Sequence, residues 1–273
     1  MAEQHVDLYD NVYTDFESRA EAEVRRQAFG EDIGQSSWLT ATDWLRFADL
    51  TQVRQESHVL EVGSGSGGPA LYLAAARGCH VTGVDINGHG VANAKRLADE
   101  RSLADRVAFH AVDAGRPLPF AAGTFDAVLS NDAICHIPNR PDVLRDWHRV
   151  LRPGGRVLFT DALIVTGLVS QEEIAARSSI GFYLFLPPGE NERLIAGAGF
   201  TLLGAEDATA AAENIARRWH DARAAHRDAL VAREGQTNFD GLQRFLACAH
   251  RLSADRRLSR FCYLAEKPDG GDQ

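Results

Sequence analysis

Residues 58–74 read HVLEVGSGSGGPALYLA, and this stretch narrows the possible folds more than any other in the chain. A short apolar run, His58–Val62, predicts a buried strand, and Gly68–Arg77 reads as an apolar helix. The glycines between them predict a tight turn whose backbone can approach a ligand with no Cβ in the way. The unsatisfied N–H groups at the start of the helix favour polar or anionic ligand groups. Gly63, Gly65 and Gly68 satisfy a G-x-G-x-x-G spacing, a weak signal by itself because many nucleotide-binding turns share it. Glu61 sharpens it. A carboxylate at the end of that strand would repel a pyrophosphate and suits a nucleoside joined to a positively charged group.

A regular alternation follows. Strands are expected at His80–Asp85, Val107–Val112, Thr124–Ser130 and Arg156–Asp161, with helices at about His89–Arg101 and Pro141–Leu151 between them. Further on, Glu192–Ala198 reads as a helix, Phe200–Ala205 as a strand, and Ser259–Ala265 as a last strand. Thr209–Arg233 and Phe239–Ser253 read as two more helices. Strands separated by helices predict a doubly wound, mostly parallel α/β sheet, here of seven strands, with the ligand beyond the carboxyl ends of the strands.

The 55 residues before the first strand look helical, at Glu17–Phe29 and Leu39–Leu50, with a polar break at 29–38 between them. They are expected to form a helical cap, and residues 56–267 the Rossmann-like domain. Within it, residues 162–191 include the aromatic run Gly181–Gly189 and are a candidate substrate lid, equally readable as a hydrophobic loop on the sheet edge. The tail from Pro268 is expected to be disordered.

Composition excludes several functions. A net charge of −9 does not suit a nucleic-acid surface, which requires a basic stripe. No apolar run reaches membrane-spanning length and the N-terminus has no signal-peptide pattern, so a cytoplasmic location is expected. Cys79, Cys135, Cys248 and Cys262 lie far apart and the histidines show no ligand spacing, so no metal is expected.

Two carboxylates join Glu61 in the strand-end positions. Asp85 closes the second strand, where it can accept bonds from both ribose hydroxyls. Asp113 follows the third.

The motif Glu61-Val-Gly-Ser-Gly-Ser-Gly67 resembles the first motif of the class I S-adenosylmethionine-dependent methyltransferases. The ordered acids Asp85 and Asp113 and the turn Leu151-Arg-Pro-Gly-Gly155 are similar to that family's later motifs. The resemblance implies S-adenosylmethionine as cofactor. It places Asp113 at the adenine amino group and the Ala114 N–H at a ring nitrogen. Gln35, Ser36, Glu61, Gly63, Gly65, Gly67, Asp85, Ile86 and Asn131 complete the implied cofactor set. Phe29-Gly-Glu-Asp32, Ser130–Pro138 and Phe159-Thr-Asp161 narrow it to the branch of the phosphoethanolamine and sarcosine/dimethylglycine methyltransferases. That branch implies that Asp132 contacts a substrate amine and that His136 is catalytic together with an N-terminal tyrosine, here Tyr13 by local match. Asp161 could hold His136 or the substrate, or be structural.

An amine acceptor must lose a proton before it can attack, and an imidazole titrating near neutral pH is a suitable base. The favoured expectation is therefore methyl transfer to the nitrogen of a small molecule. One departure concerns the phosphoethanolamine enzymes, which carry a phosphate-holding tyrosine where Ala162 stands here. Arg177, Arg257 and Arg260 could still form an anion site or could equally be surface charges, so a carboxylate acceptor is as plausible as a phosphorylated one. Oxygen or carbon methylation of a natural product is the alternative within the class. Outside it stand a nicotinamide-dependent oxidoreductase and a cofactor-binding protein without catalysis. Partners beyond the small-molecule substrate are not expected, except for a possible homodimer through the paired C-terminal helices.

Overall fold

A computed structural model describes residues 18–269. Seven strands form one sheet, β1 (His58–Val62), β2 (His80–Asp85), β3 (Val107–Ala111), β4 (Phe125–Ser130), β5 (Leu151–Val165), β6 (Thr201–Asp207) and β7 (Leu258–Glu266), in the order β3-β2-β1-β4-β5-β7-β6. The pairs β3–β2, β2–β1, β1–β4 and β4–β5 are parallel, and β7 runs antiparallel between β5 and β6. The order reverses direction at β1, which begins its crossover on one side to β2 while β4 lies on the other. A crevice opens there at the carboxyl ends, where open α/β sheets bind ligands.

The central strands are apolar almost throughout because both faces are covered. On one face, α2 (Ala41–Leu50), α3 (Gly68–Arg77) and α4 (Gly88–Glu100) bury Trp44, Leu71 and Val91 against Val59, Val81 and Leu129. On the other, α5 (Arg140–Val150) and α7 (Glu190–Gly197) bury Leu144, Trp147 and Ile195 against Leu60, Val128 and Phe159. Each such side chain removed from water contributes roughly 1.5–3 kcal/mol. Helix ends follow local chemistry. Thr40 and Asp43 form a reciprocal capping box at α2, and Ser170 and Glu173 do the same at α6 (Gln171–Arg177).

The helical prologue does not stand alone. Helix α1 (Arg19–Phe29) packs on the C-terminal helices α8 (Thr209–Ala225) and α9 (Arg227–Ala254), joining Val24, Phe29 and Trp38 to Trp219 and Phe245 in a separate core. The Phe29 and Trp219 rings meet edge to face at 5.4 Å. The two C-terminal helices, expected at Thr209–Arg233 and Phe239–Ser253, divide instead at His226, and α9 is kinked at Gly235, with φ +80.

Strand β5 is longer than its apolar run suggests, since Arg156↔Glu266 through Val165↔Leu258 pair with β7. Ala162–Val165 thus continue the sheet, and the insertion begins after Val165. It contains α6 and then returns to the sheet, with the Leu184 N–H donating to the Cys135 carbonyl at 2.8 Å and the Leu186 N–H to that of Leu163 at 3.0 Å. No described helix is long and apolar enough to cross a membrane.

Candidate active site

The crevice at the end of β1 widens into a cavity of about 520 Å³. Its walls come from the loop before α2, the ends of β1 to β4, the turn after β4, and Gly181 and Phe182 of the insertion.

The glycine turn is shaped by crowding. Gly63 and Ser64 donate to the Val84 carbonyl at 2.9 and 3.1 Å, tying the turn to β2. Gly63 has φ +81, and a Cβ there would overlap that of Ala133. At Gly68 a Cβ would strike the backbone of Ile33 and Gly34, so the N-terminal loop can lie directly on the start of α3.

The strand-end acids differ in environment. Asp85 lines the cavity, accepting the Gly65 N–H at 2.8 Å through one oxygen and the Asn87 N–H at 2.8 Å through the other. Burial raises its carboxyl above the usual range despite these bonds. Glu61 lies beneath the turn and does not line the cavity. It is buried, its Oε2 has no hydrogen-bond partner among the described residues, and burial, with the Asp85 charge second, pushes its carboxyl well up. A positive charge held above the turn would favour its ionised form. Asp113 lines the far end, accepting the Gly115 N–H at 2.9 Å, with Arg116 at 3.3 Å.

Ser36, Gly63, Asp85, Ile86, Asp113, Ala114 and Asn131 of the expected cofactor set line the cavity. Gln35, Gly65 and Gly67 do not. The amide of Gln35 is turned into its own loop, accepting the Ile33 N–H at 2.9 Å and donating to the Glu31 carbonyl at 2.7 Å. Gly65 and Gly67 act through turn geometry. Sequence reasoning missed Ser37, Asn87, Ala133, Ile137 and Pro138, which also line the cavity. Adjacency to Ser36 and to Asp85 was the available signal for the first two.

The turn after β4 brings Asp132 and His136 to the cavity wall. His136 Nδ1 lies 2.9 Å from the Phe182 carbonyl oxygen, which only accepts, so Nδ1 carries a proton and donates it. In the neutral imidazole Nε2 then bears the lone pair. Burial pushes the imidazole down to about 4. Its ring packs on that of Tyr183 at 4.3 Å. Asp132 has φ +51, and its carboxylate is committed to Arg260, whose Nε donates at 3.0 and 3.2 Å to the two oxygens.

Asp161 requires a correction. It is fully buried in β5 and absent from the cavity wall, its carboxylate accepting from Arg140, from Asn191 at 3.0 Å and from the Leu163 N–H at 3.0 Å. These bonds tie it to structural partners within the sheet and its neighbouring helices. The expected three-arginine anion site is also not assembled. Arg257 pairs with Glu173 at 2.8 Å and Asp255 at 3.0 Å, and Arg260 pairs with Asp132. Arg177 has no carboxylate partner among the described residues; it is buried against Tyr183 at 4.8 Å and Phe245 at 4.6 Å, and its Nη1 has no hydrogen-bond partner. Tyr13 lies outside the described residues. Among those described, no cluster of three or more metal-ligating side chains occurs, and the four cysteines are free and buried.

A parallel sheet with one antiparallel strand beside its edge, a glycine turn over a buried acid and a second acid closing β2 define a class I methyltransferase fold. The family profile described as "Methyltransferase domain" matches residues 60–159. The 27-O-demethylrifamycin SV methyltransferase of Amycolatopsis mediterranei is 31% identical over 198 residues, covering 68% of this chain and 72% of its own. A phosphoethanolamine N-methyltransferase of Triticum aestivum is 29% identical over 216 residues, 79% of this chain but 42% of its own, so this chain spans less than half of that relative. The fold is similar to that of Haemonchus contortus phosphoethanolamine N-methyltransferase 2, solved with phosphomonomethylethanolamine and S-adenosylhomocysteine. There the TM-score is 0.81 at 23% identity, over 96% of this chain and 60% of that one. The chain belongs to the S-adenosylmethionine-dependent methyltransferases.

Proposed function

We propose that the chain transfers a methyl group from S-adenosylmethionine to a small-molecule amine, with His136 removing the acceptor's proton. The observation that carries this is the His136 imidazole at the cavity wall, fixed by the Phe182 carbonyl with its lone pair on Nε2. When bound, the cofactor supplies a methyl on a sulfonium, already activated for displacement. The task left to the protein is to hold the acceptor in line, an effect able to supply roughly 7–11 kcal/mol, and to accept its proton, adding roughly 10²–10⁴ in rate. Ser36, Asp85, Asp113 and Asn131 would hold the cofactor, with Glu61 beneath its cationic part. Tyr13 is retained as the candidate partner of His136.

A hydroxyl oxygen is the second reading, and two observations favour it. Arg260 already neutralises Asp132, so that carboxylate is not left bare for an ammonium group. The lowered basicity of His136 also suits an attacking hydroxyl, whose proton becomes strongly acidic as the new bond forms. The rifamycin relative is named for such an oxygen. Two acceptor panels separate the readings, scored by S-adenosylhomocysteine formation and product mass. One holds small amino acids and phosphorylated amines, the other alcohols and phenols. N-methyl products support the first reading and O-methyl products the second; turnover unaffected by His136→Ala contradicts both.

A further inference from the structure

Arg260 reaches the site from β7, at the far side of β5, and contacts the turn after β4 at two points. Its Nε donates to both oxygens of Asp132, at 3.0 and 3.2 Å, and its Nη2 donates to Oδ1 of Asn131 at 2.8 Å. The Arg260 and Asp132 side chains are 2% and 5% exposed. The Thr160 hydroxyl on β5 accepts the Asp132 N–H at 2.8 Å and lies 2.9 Å from its Oδ1, which helps hold a non-glycine residue at φ +51. Asn131 then donates from Nδ2 to the Ser37 hydroxyl in the loop before α2. One guanidinium is thus linked to both walls of the cavity, because Asn131, Asp132, Ser36 and Ser37 all line it.

Charge makes this more than scaffolding. The methyl donor carries a positive sulfonium, and its product, S-adenosylhomocysteine, is neutral at sulfur. A bare carboxylate in a half-enclosed cavity attracts a cation far more strongly than it would in water. The Asp132–Arg260 pair has no net charge, and Arg260 hydrogen-bonds both of the carboxylate oxygens.

We infer that Arg260 is a positioning and specificity-determining residue for methyl transfer: it cancels the charge of Asp132 at the cavity wall and holds the Asn131–Asp132 turn in its left-handed form. The inference rests on the family's cofactor and is independent of whether nitrogen or oxygen accepts the methyl group. Removing Arg260 exposes the carboxylate and tips the cavity towards cations, whereas removing the carboxylate leaves an unbalanced guanidinium and tips it the other way.

The test is calorimetric titration of S-adenosylmethionine and S-adenosylhomocysteine, at one pH above the His136 titration, into the full chain and its variants. The quantity read is the ratio of the two affinities. Arg260→Met should raise the preference for the cationic ligand about fivefold or more, the size of a modest charge effect. Arg260→Lys, which keeps the charge, should stay near the original ratio. Asp132→Asn should lower the preference by a similar factor, and the double variant should restore it. A purely structural role would weaken both ligands together and leave the ratio within about twofold in every variant, which overturns the inference. If Arg260→Met does not fold, Asp132→Asn decides alone: an unchanged ratio there overturns the inference just as firmly.

Discussion

His136 Nδ1 lies 2.9 Å from the carbonyl oxygen of Phe182, so the insertion that supplies part of the cavity wall also fixes the proton of the candidate base. Replacing His136 with Gln should lower the turnover rate by roughly 10²–10⁴ while leaving cofactor affinity intact. Steady-state rates and a cofactor titration on the same preparation check both halves.

The same imidazole sets a pH window. The unfolded chain binds its proton near 6.5 and the folded chain only at about 4. Between those values the unfolded state holds more protons, so stability is present above 6.5 and is lost as pH falls towards 4. Urea melts at about pH 7 and pH 5 should show a loss in the parent protein that is smaller in His136→Gln.

Asp161 and Arg140 are both buried and bonded to one another and to Asn191, so their role is stability. Asp161→Asn leaves a buried guanidinium uncompensated and should cost about 3–5 kcal/mol of folding stability. Protein that remains folded at low temperature should keep its cofactor affinity.

Asp85 contributes to both turn and ligand. Asp85→Ala removes the acceptor for the Gly65 and Asn87 N–H groups and the expected ribose contact. Each charge-assisted bond contributes roughly 1.5–3 kcal/mol. Cofactor affinity should fall at least tenfold in a titration.

Gly63 tests the turn itself. Gly63→Ala places a Cβ on Ala133 at a left-handed φ, which costs roughly 1–2 kcal/mol before the overlap is counted. Thermal melts should show the loss in stability, and titration a loss of cofactor binding.

The alternation of strands and helices and the glycine turn were legible because alternation and turn chemistry are local signals. The position of Asp85 at the end of β2 was legible for the same reason, although its bonds to the Gly65 and Asn87 N–H groups were not. The same rule misled at Asp161. Strand β5 continues four residues beyond it, so the carboxylate sits within the sheet opposite Phe261 rather than at its end. Its partners Arg140 and Asn191 come from other elements, which no local pattern announces. Asp132 lines the cavity, yet its ion pair with Arg260, 128 residues away, became visible only when β7 was laid beside β5. Gln35 misled because its loop covers the cavity while its own amide faces inward.

The most direct test of the account is titration of S-adenosylmethionine into the purified chain, followed by the same titration with Asp85→Ala. Saturable one-to-one binding that weakens at least tenfold in the variant is the predicted result. No detectable binding at millimolar cofactor, or equal affinity in both proteins, would contradict the assignment of this cavity to the methyl donor.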